Sequence, residues 1–444
     1  MNRHQFFNNS KVAAASTLAA AALPSESYAK RSPNDVINVA VVGIHGRGKS
    51  HFNNLAEIPD ARVSHVVDPD ARLFGEHLTK LKDGTTENPA TETDLRRVLD
   101  NKDVDAISIA TPNHWHSLQV IWACQAGKDV YVEKPISHNV WEGRKAVEAA
   151  RKYNRIVQTG TQNRSKYGIM QAMKFMHEGG IGKLHMAKGF CHKARSPIGL
   201  KPPTSVPDGL DYDIWKGPGP DCDFNENLVH YNWHWNWDFG NTDLGNQGIH
   251  QMDLMRWGMN TYEYPERIHC VGGLHQDGSA TNEQTPNIQH ITFEFGDGTT
   301  QMFQVHNWHI FPFHGEKTGN VYFGSEGYLE IVGYGKQIRT FFGRNNEPGP
   351  TFHDLVEPPN DRPGQDAHTV NFLDAMRSRD GQSLNGDIRD GHLSSAMCHL
   401  GNISYRLKRE LTFDSHSEQF VGDEQANAHL TRQYRYPYIV PENV

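Results

Sequence analysis

The sequence lacks the features that mark several classes of protein. Its five cysteines are scattered without CxxC spacing, so they predict neither a zinc site nor a disulfide framework. The 44 Lys and Arg residues form no long basic run and are outnumbered by 52 Asp and Glu, for a net charge of −8, which argues against nucleic acid as a partner. No apolar stretch approaches the roughly 20 residues of a membrane span. The 444 residues are enough for two or three domains.

Residues 1–30 have the organisation of an export signal. Arg3 and Lys11 flank a polar start, an apolar stretch of signal-peptide length covers 12–23, and "SYA" at 27–29 offers a small-x-small cleavage site. "NRHQFF" resembles a twin-arginine signal in which His4 replaces the second arginine. We therefore expect an exported, periplasmic protein that does not associate with the membrane after processing. A disordered segment or a pro-segment is the alternative.

From residue 36 the pattern alternates between strands and helices. Apolar runs typical of strands buried on both faces occur at 36–43, 61–68, 104–111, 128–132 and 155–160, with helical segments between them. This alternation predicts a doubly wound parallel sheet over 36–159. Beyond residue 160 the sequence favours a long Pro/Gly-rich loop at 196–230, a buried helix at 245–259, and alternating strands over 266–342, two of them joined by a hairpin at "GDG" (296–298).

The first strand runs into a glycine-rich turn, "VVGIHGRGKS" (41–50). Glycines between a strand and a helix let the backbone approach a pyrophosphate at the helix N-terminus. The pattern G-x-G-x-x-G would place glycine at 43, 45 and 48, whereas position 45 is histidine and a glycine stands at 46. A plain strand–helix turn is therefore the alternative. The residues expected along a dinucleotide here are Gly43, Ile44, His45, Gly46, Arg47 and Gly48.

Polar residues follow the next strands at the same edge of the sheet. Asp68 stands about 25 residues beyond the turn, near the spacing expected for a ribose-binding carboxylate, and it favours NAD over NADP because it would repel a 2′-phosphate. In "ATPNHWH" (110–116), we expect Thr111, Asn113 and His116 near the cofactor, because ligands bind outside the carboxyl ends of parallel strands. Asn113 could equally cap the following helix.

The stretch "DVYVEKPISH" (129–138) ends a buried strand with a Glu-Lys pair in front of a proline. Pro135 disfavours the helical conformation at Lys134, so the backbone aims the lysine. An exposed charge pair at a strand end is the alternative, because both residue types are mostly exposed.

Taken in order, the glycine-rich turn, Asp68, "ATPNHWH" and "YVEKP" resemble the glucose–fructose oxidoreductase / inositol dehydrogenase (Gfo/Idh/MocA) family. The likeness extends over essentially the whole chain after the signal, and "LDYDIWKGPGP", "HYNWHWNWD" and "CHLGNISYRL" resemble an exported subgroup. The resemblance implies an α/β protein with an N-terminal doubly wound Rossmann domain at 36–159 that binds NAD. It also implies a C-terminal α+β domain at 160–444, with a large, mostly antiparallel open sheet, that binds substrate and forms a homo-oligomer.

The resemblance also implies the catalytic residues. The lysine of the EKP motif is Lys134, beside the nicotinamide and the reacting hydroxyl, with Glu133 next to the cofactor. Desolvation beside a positive ring should lower the pKa of this lysine, so that it can exchange the proton of an alcohol. His250 matches the family's histidine base, with a buried structural histidine as the alternative. The matching acid position carries Asn246, which can orient the imidazole or bind a substrate hydroxyl but supplies no charge.

Further contacts follow from the same likeness. Gln162 is expected near the cofactor, and Arg164 and Tyr167, in "GTQNRSKYG", at the substrate pocket. Asp253, close to one helical turn beyond His250, is a candidate substrate contact.

The tryptophan-rich stretch "HYNWHWNWD" (230–238) would place Trp233, Trp235 and Trp237 on one face if it were extended. Such a face suits a sugar, so Trp237 is a predicted substrate contact; a hydrophobic plug is an equal alternative. In "HNWHIFPFH" (306–314), His306 and His309 would lie on opposite faces of a strand, so we predict no metal site.

The sequence therefore predicts an exported, NAD-dependent oxidoreductase that acts on a sugar, glycoside or polyol hydroxyl. One alternative keeps NAD bound and cleaves a glycoside by transient oxidation, elimination and re-reduction. Another is a sugar or dinucleotide sensor without catalysis, which the presence of both Lys134 and His250 disfavours.

Overall fold

Two sheets organise the chain. The computed structural model describes residues 36–444, except for 82–87, 310, 314, 353–361 and 363. The predicted export signal at 1–30 lies outside the described residues. In the part that is described, no helix combines the length and the apolar character that a membrane crossing requires.

The first sheet is parallel, with the order β3-β2-β1-β4-β5-β6. Its strands are β1 (Ile37–Val42), β2 (Ala61–Val67), β3 (Ala90–Glu92), β4 (Ala106–Ile109), β5 (Asp129–Val132) and β6 (Val157–Thr159). The helices between them are α1 (Gly48–Ala56), α2 (Glu76–Leu81), α3 (Arg96–Leu99), α4 (Asn113–Gln125) and α5 (Val140–Lys152), with a 3₁₀ turn at Ala71–Phe74. Strands β4 and β5 are buried at every position, as their continuous apolar runs predict for a sheet covered on both faces.

The second sheet has ten strands in the order β14-β13-β12-β11-β7-β10-β9-β8-β15-β16. Strands β7 and β10 pair in parallel, whereas the neighbouring pairs are antiparallel. The strands are β7 (Leu184–Cys191), β8 (Arg267–Gly273), β9 (Ile288–Glu294), β10 (Thr300–His306), β11 (Thr318–Gly324), β12 (Gly327–Val332), β13 (Gln337–Phe342), β14 (Glu347–Thr351), β15 (Leu411–Asp414) and β16 (Gln419–Phe420). The predicted fold class, a Rossmann domain followed by an α+β domain with a large, mostly antiparallel sheet, is confirmed.

The helices of this second part include two that pack against the sheet. Helix α10 contacts β8, and α8 contacts β7 and β11. The helices are α6 (Tyr167–His177), α7 (Tyr212–Lys216), α8 (Ile249–Gly258), α9 (Ala367–Ser378), α10 (Ile388–Leu407) and α11 (Glu424–Asn427). Short 3₁₀ turns occur at Gln162–Ser165, Asn232–Trp235, Gly333–Gly335 and Gly381–Ser383, and a π turn, Leu244–Gly248, leads directly into α8.

Two local features differ from the sequence analysis. The tryptophan stretch is not extended, because Asn232–Trp235 form a 3₁₀ turn. Strand β3 was not predicted, because it has only three residues, all of them at least partly exposed, and so has no apolar run.

Residues 430–444 pack back onto the first sheet. Tyr438, Val440 and Val444 are buried in the same apolar cluster as β4, α4 and β5. Arg432 fixes the segment, since its Nε donates to Glu142 Oε1 in α5 at 2.9 Å. The core of the first sheet is therefore completed by residues that follow the whole second sheet in the chain.

A segment from the second part of the chain, residues 207–217, covers the edge of the first sheet where β2 ends; we call it the strap. Its Gly209 carbonyl accepts a hydrogen bond from Ala71 N at 2.8 Å, and its Asp211 N donates to the Pro69 carbonyl at 2.8 Å. The indole of Trp115 donates to the Ile214 carbonyl at 3.0 Å. The strap thereby borders the cavity at the carboxyl ends of the parallel strands.

Candidate active site

The carboxyl ends of β1, β2, β4 and β5 open into a cavity of about 500 Å³, within the size range of small-molecule sites. Its other wall comes from the second part of the chain. Of the predicted residues, the lining includes Gly43, His45, Gly46, Arg47, Asp68, Thr111, Asn113, His116, Glu133, Lys134, Gln162, Asn246 and His250.

The glycine-rich turn fits a dinucleotide at two of its three glycines. Gly43 has φ of +84°, and a Cβ there would lie 2.7 Å from the Ala110 carbonyl oxygen. A Cβ on Gly48 would lie 1.8 Å from the Gly43 carbonyl oxygen, whereas one on Gly46 would meet nothing within 4 Å. Helix α1 begins at Gly48 without a side-chain cap, and Lys49 N and Ser50 N donate to the Gly46 and Arg47 carbonyl oxygens at 3.1 and 2.9 Å. The positive end of the helix dipole at this turn favours a pyrophosphate.

Histidine at position 45 has a contact that a glycine could not make. Its ring stacks on His230, with centroids 4.2 Å apart and planes 9° apart. His230 Nε2 also lies 2.9 Å from Asp70 Oδ2. The departure from the glycine pattern thus joins the turn to the second part of the chain.

Asp68 lies where a ribose-binding carboxylate is expected. Its Oδ2 accepts from Ile44 N and its Oδ1 from Asp70 N, both at 3.0 Å. Burial raises its pKa to about 7 although these two hydrogen bonds oppose the shift. Each carboxylate oxygen can accept more than one hydrogen bond, so the geometry is compatible with ribose hydroxyls. Ile44 contributes its backbone, because its side chain is fully buried.

The "ATPNHWH" residues connect neighbouring loops. The ring nitrogens of His116 lie 2.6 and 2.7 Å from the carbonyl oxygens of Pro135 and Thr111, which ties the ends of β4 and β5 together. Helix α4 is preceded by Pro112 as its cap residue, so Asn113 does not cap it. Asn113 Nδ2 instead donates to Asn241 Oδ1 at 3.0 Å, across to the second part.

Glu133 is an ionised anchor rather than an exposed strand-end charge. Its side chain is buried, and Oε1 accepts from Arg47 Nε at 2.9 Å and Gln162 Nε2 at 3.1 Å, with His51 Nε2 at 3.2 Å. Burial alone would raise the pKa of Glu133, but Arg47, His51 and Lys134 outweigh it and hold the pKa well below the usual range. The carboxylate therefore fixes the glycine turn against the end of β5.

Lys134 reaches across the cavity to the second part. Its Nζ donates to the Asn246 carbonyl oxygen at 2.8 Å. Burial lowers its pKa from the usual value, with Glu133 opposing the shift and Arg47 adding to it. The partly buried lysine is thus aimed as the proline suggests, and its proton is easier to remove than that of an exposed lysine.

His250 faces the same cavity from α8, two residues after the π turn. Burial, and then the charge of Lys134, lower its pKa to about 3, so the imidazole is neutral at physiological pH. Its Nδ1 is buried and, among the described residues, has no hydrogen-bond partner. Its ring meets Tyr334 edge-on at 6.3 Å. π turns occur frequently at functional sites, and a buried polar atom without a partner calls for an explanation such as a bound ligand.

Asn246 is linked to an acid that the sequence patterns did not single out. Its Nδ2 donates to Asp243 Oδ1 at 3.2 Å. Asp243 is fully buried and pairs with Arg195 Nη2 at 2.8 Å and Asn307 Nδ2 at 2.7 Å. The Asp243 carboxylate therefore lies near the cavity but is separated from it by Asn246, and its charge is paired with that of Arg195.

Four predicted substrate residues do not line the cavity. Arg164 and Asp253 form a buried two-point ion pair, at 2.8 and 2.9 Å. Trp237 stacks on Tyr405 at 6.3 Å and lines a different cavity, because the 3₁₀ turn directs it away from Trp233. Tyr167 begins α6 and also lies outside the lining.

Sequence reasoning missed other lining residues, which come from three separate segments. Lys166 precedes α6, Tyr334 follows β12, and the tryptophan-rich stretch with its flanks supplies the aromatic wall. The missed residues include Lys166, His230, Tyr231, His234 and Tyr334. Trp233, which the sequence analysis considered part of a sugar-binding face, also lines the cavity. The available signal was Tyr334 between two glycines, a tight turn that can present a side chain. Within the described residues, no group of three or more His, Cys, Asp or Glu side chains could hold a metal ion.

Comparison with known protein families identifies the family of this chain. Residues 37–161 match the family model for the NAD-binding Rossmann fold of the Gfo/Idh/MocA oxidoreductases, and 190–440 match the model for their C-terminal alpha/beta domain. The chain belongs to the Gfo/Idh/MocA oxidoreductase family. The resemblance predicted from the motifs is therefore confirmed, and the first sheet is the family's NAD-binding domain.

Curated relatives of this family member match only part of its length. A 2,7-anhydro-N-acetylneuraminate hydratase of Mediterraneibacter gnavus is 29% identical over 169 residues, 38% of this chain and 42% of the relative. A scyllo-inositol 2-dehydrogenase (NAD(+)) of Bacillus subtilis is 30% identical over 169 residues, 36% of this chain and 46% of the relative. The match thus spans less than half of either relative.

Among solved structures, the fold resembles an aldose–aldose oxidoreductase from Caulobacter crescentus. The TM-score is 0.65 at 16% identity, over 85% of this chain and all of the other. At this identity the likeness establishes the fold of the Gfo/Idh/MocA family across both sheets.

Proposed function

We propose that this protein is an NAD-dependent oxidoreductase that acts on the hydroxyl of a sugar, glycoside or polyol. The observation that carries the proposal is the meeting of Lys134 and His250, from the two parts of the chain, at the end of a cavity that begins at the glycine turn. The scyllo-inositol dehydrogenase among the relatives supports a polyol or sugar as the substrate.

NAD, when bound, would supply the carbon that accepts hydride. The chain's own residues hold the substrate and move its proton. The protonated Lys134 side chain would donate a hydrogen bond to the reacting oxygen. In its neutral amine form it would take the hydroxyl proton. Its lowered pKa favours this exchange. The unsatisfied Nδ1 of His250 would accept a hydrogen bond from the same or a neighbouring hydroxyl.

Because position 246 carries asparagine instead of an acid, Lys134 and His250 have different roles. A carboxylate there would raise the basicity of His250, whereas Asn246 is neutral and donates one hydrogen bond to Asp243. With its pKa lowered to about 3, His250 is a weak base. Lys134 is therefore the main proton acceptor, and His250 mainly orients the substrate.

One observation favours the second function, in which NAD stays bound and no net oxidation occurs. The strap at 207–217 and the stacked pair His45–His230 cover the turn and the end of β2. Opening this cover would be needed for rapid exchange of the cofactor. The hydratase among the relatives also supports chemistry without a net redox change.

The test uses the full-length protein as purified, first analysed by mass spectrometry for bound small molecules. A panel of sugars, polyols and glycosides is then added without free NAD. A ketone product with NADH absorbance supports the oxidoreductase, and glycoside cleavage without net NADH supports the retained-cofactor reaction. Binding without either product would contradict both and leave the sensor.

The proposal extends to location and assembly. We expect export through the twin-arginine route, because a protein that retains its cofactor has to cross the membrane folded; secretion unchanged in cells lacking that route would contradict this. We also expect a homo-oligomer formed through the second sheet, measured as mass by light scattering.

A further inference from the structure

One histidine of the tryptophan-rich stretch lines the cavity with a ring nitrogen that the fold does not use. His234 is buried, with 8% of its surface exposed, and it belongs to the cavity lining. Its Nδ1 donates to the carbonyl oxygen of Tyr231 at 2.5 Å. Its Nε2 has no hydrogen-bond partner in the part of the chain that the structure describes, and this atom is not sealed in the interior. The imidazole therefore has one nitrogen held by the backbone and one that is available to a ligand.

The contact with Tyr231 fixes which nitrogen of His234 carries the hydrogen. A carbonyl oxygen only accepts, so the single hydrogen of a neutral imidazole has to be on Nδ1. Burial lowers the pKa of His234 to about 3, although the hydrogen bond to Tyr231 opposes the shift, so the ring is neutral at physiological pH. Its Nε2 is therefore a hydrogen-bond acceptor that cannot donate.

The surroundings of His234 hold the ring in one place. The ring stacks on Trp233, with centroids 3.6 Å apart and planes 19° apart. Gly240 packs against the same turn, because a Cβ there would lie 2.5 Å from the carbonyl oxygens of Trp233 and His234. The next carbonyl oxygen, that of Trp235, accepts from Gln284 N at 2.9 Å. An acceptor that is fixed before the ligand arrives loses little entropy on binding.

His234 and His250 approach the same lysine from two segments of the chain. The charge of Lys134 lowers the pKa of both histidines, and all three side chains line one cavity. His250 comes from α8, whereas His234 comes from the 3₁₀ turn at Asn232–Trp235. An ammonium that donates and an imidazole that accepts together suit hydroxyl groups, which do both. The site thus has more hydrogen-bonding groups than a single reacting hydroxyl needs.

An acceptor without a hydrogen of its own selects its partner. A carboxylate brings no hydrogen, so it cannot satisfy Nε2 of His234, whereas a hydroxyl can. A substrate that places no donor there leaves Nε2 unpaired in a closed site, which costs free energy. The chemistry of this wall therefore favours an uncharged ring hydroxyl.

We propose that His234 is a specificity-determining residue whose Nε2 accepts a hydrogen bond from a second hydroxyl of the sugar, beside the one that Lys134 and His250 hold. This rests on the proposed function, because it names a further contact of the same substrate. The protein therefore selects a diol on one ring and discriminates against sugars that lack the second hydroxyl.

The test uses the full-length protein with its cofactor, and methyl glucoside and methyl galactoside as parent sugars. Each parent is compared with the analogues in which one hydroxyl at a time is replaced by hydrogen or by fluorine. Calorimetry measures binding, and absorbance measures reduction of bound NAD. At one position other than the oxidised one, we expect both analogues to bind roughly tenfold more weakly, because one hydrogen bond is lost and its acceptor is left unpaired. Both should still reduce NAD, which distinguishes this position from the oxidised one.

Two results with the wild type would overturn the proposal. Fluorine accepts but does not donate, so an analogue series in which fluorine is tolerated and hydrogen is not would contradict the acceptor role of Nε2. Binding within about twofold for every analogue would show that no second hydroxyl is selected.

Variants assign the selection to His234. His234→Phe keeps a flat ring on Trp233 but removes the acceptor, so the parent sugar should bind roughly tenfold more weakly. The analogue without the second hydroxyl should then lose no more than about twofold, because the partner that it lacked is already gone. His234→Gln, whose Oε1 accepts, should restore part of the loss for the parent sugar.

The matched control is His399→Gln, at a buried histidine outside the cavity whose pKa is also lowered to about 3. It should discriminate between parent and analogue as the wild type does. Losses from His234→Phe and from the missing hydroxyl that add up strictly, in a variant with a native melting curve, would overturn the assignment.

The outcomes separate the two proposals. A coupled loss of binding without reduction of NAD by any probe would overturn the oxidoreductase and keep the assignment of His234. Reduction of NAD together with strictly additive losses would keep the oxidoreductase and overturn that assignment.

Discussion

Two buried cation-containing clusters lie close together in this protein, and their hydrogen bonding differs. In the first, both donors of Arg164 that face Asp253 are used, at 2.8 and 2.9 Å, and Ser394 adds a third hydrogen bond to that carboxylate. In the second, Lys134 donates to a backbone carbonyl, and Nδ1 of His250 has no partner among the described residues. Family resemblance had placed all four side chains at the ligand.

The difference teaches which buried polar groups are available for chemistry. A charge pair whose hydrogen bonds are complete holds the fold together, and removing one member leaves an uncompensated charge. A buried group with unused capacity costs free energy unless a ligand completes it. We therefore expect Arg164 and Asp253 to have a structural role and Lys134 and His250 to act on the substrate.

Replacement of Lys134 tests the comparison with the largest expected effect. Lys134→Met keeps most of the bulk but removes the ammonium, so single-turnover reduction of bound NAD should fall by roughly 10²–10⁴-fold. Thermal melting should change little, because a desolvated ammonium contributes little to stability. Near-normal hydride transfer in the variant would remove Lys134 from the mechanism.

Replacement in the ion pair of Arg164 and Asp253 should have the opposite effect, on stability rather than on turnover. Arg164→Met leaves Asp253 buried and unpaired, so the free energy of unfolding should drop by about 3–5 kcal/mol, measured by urea denaturation. Turnover per folded molecule should stay close to that of the wild type. The double variant Arg164→Met/Asp253→Leu should recover part of the loss, and a strictly additive loss would contradict a shared pair.

Two histidines with the same lowered pKa sharpen the contrast. Burial lowers the pKa of both His250 and His399 to about 3, from an ordinary value of 6.5. Between these values the unfolded chain binds more protons than the folded one, so stability present above pH 6.5 is lost as the pH falls toward 3. Either histidine changed to Gln should flatten this acid limb in denaturation curves.

Activity should separate the same two variants. His250→Gln is expected to lower turnover by roughly 10²-fold. His399→Gln should leave turnover within about twofold, since His399 bonds Ser137 and does not line the cavity. Equal turnover in both variants would show that His250 is structural too.

The smallest expected effect concerns cofactor choice. The purified protein should carry NAD(H) and not NADP(H), because the Asp68 carboxylate would face a 2′-phosphate. Asp68→Asn keeps one acceptor for Ile44 N but removes the charge, so discrimination between the two nucleotides should weaken by roughly tenfold, about 1.4 kcal/mol. Mass spectrometry of the bound nucleotide measures this. NADP(H) as the main species in the wild type would contradict the assignment.

The cofactor side of the site was predictable because it follows from local rules. Parallel strands end at one edge of their sheet, so Gly43, Asp68, Thr111 and Glu133 had to come together once β1, β2, β4 and β5 were recognised. Each strand showed as an apolar run, and each motif directly followed its strand. Gly48 was expected because the backbone has to approach a pyrophosphate, and the structure adds a second reason, because a Cβ there would lie 1.8 Å from the Gly43 carbonyl oxygen.

The substrate side depended on contacts between distant segments. Lys193 follows β7 and Tyr334 follows β12, so the pairing of β7, β11 and β12 brings them together, and no local pattern reports such pairing. The tryptophan stretch failed for a different reason. Its alternation suits a strand, but the chain forms a 3₁₀ turn there, and that change of period sends Trp237 elsewhere.

Residues 430–444 carry a consequence for how the protein is made. Tyr438, Val440 and Val444 complete the apolar cluster of the first sheet, yet the ribosome adds them after the entire second sheet. During synthesis, the part of the Rossmann sheet that these residues cover therefore stays exposed until they emerge. We expect a fragment covering only 37–161 to keep that apolar surface exposed and to be less stable than the same sheet in the whole chain.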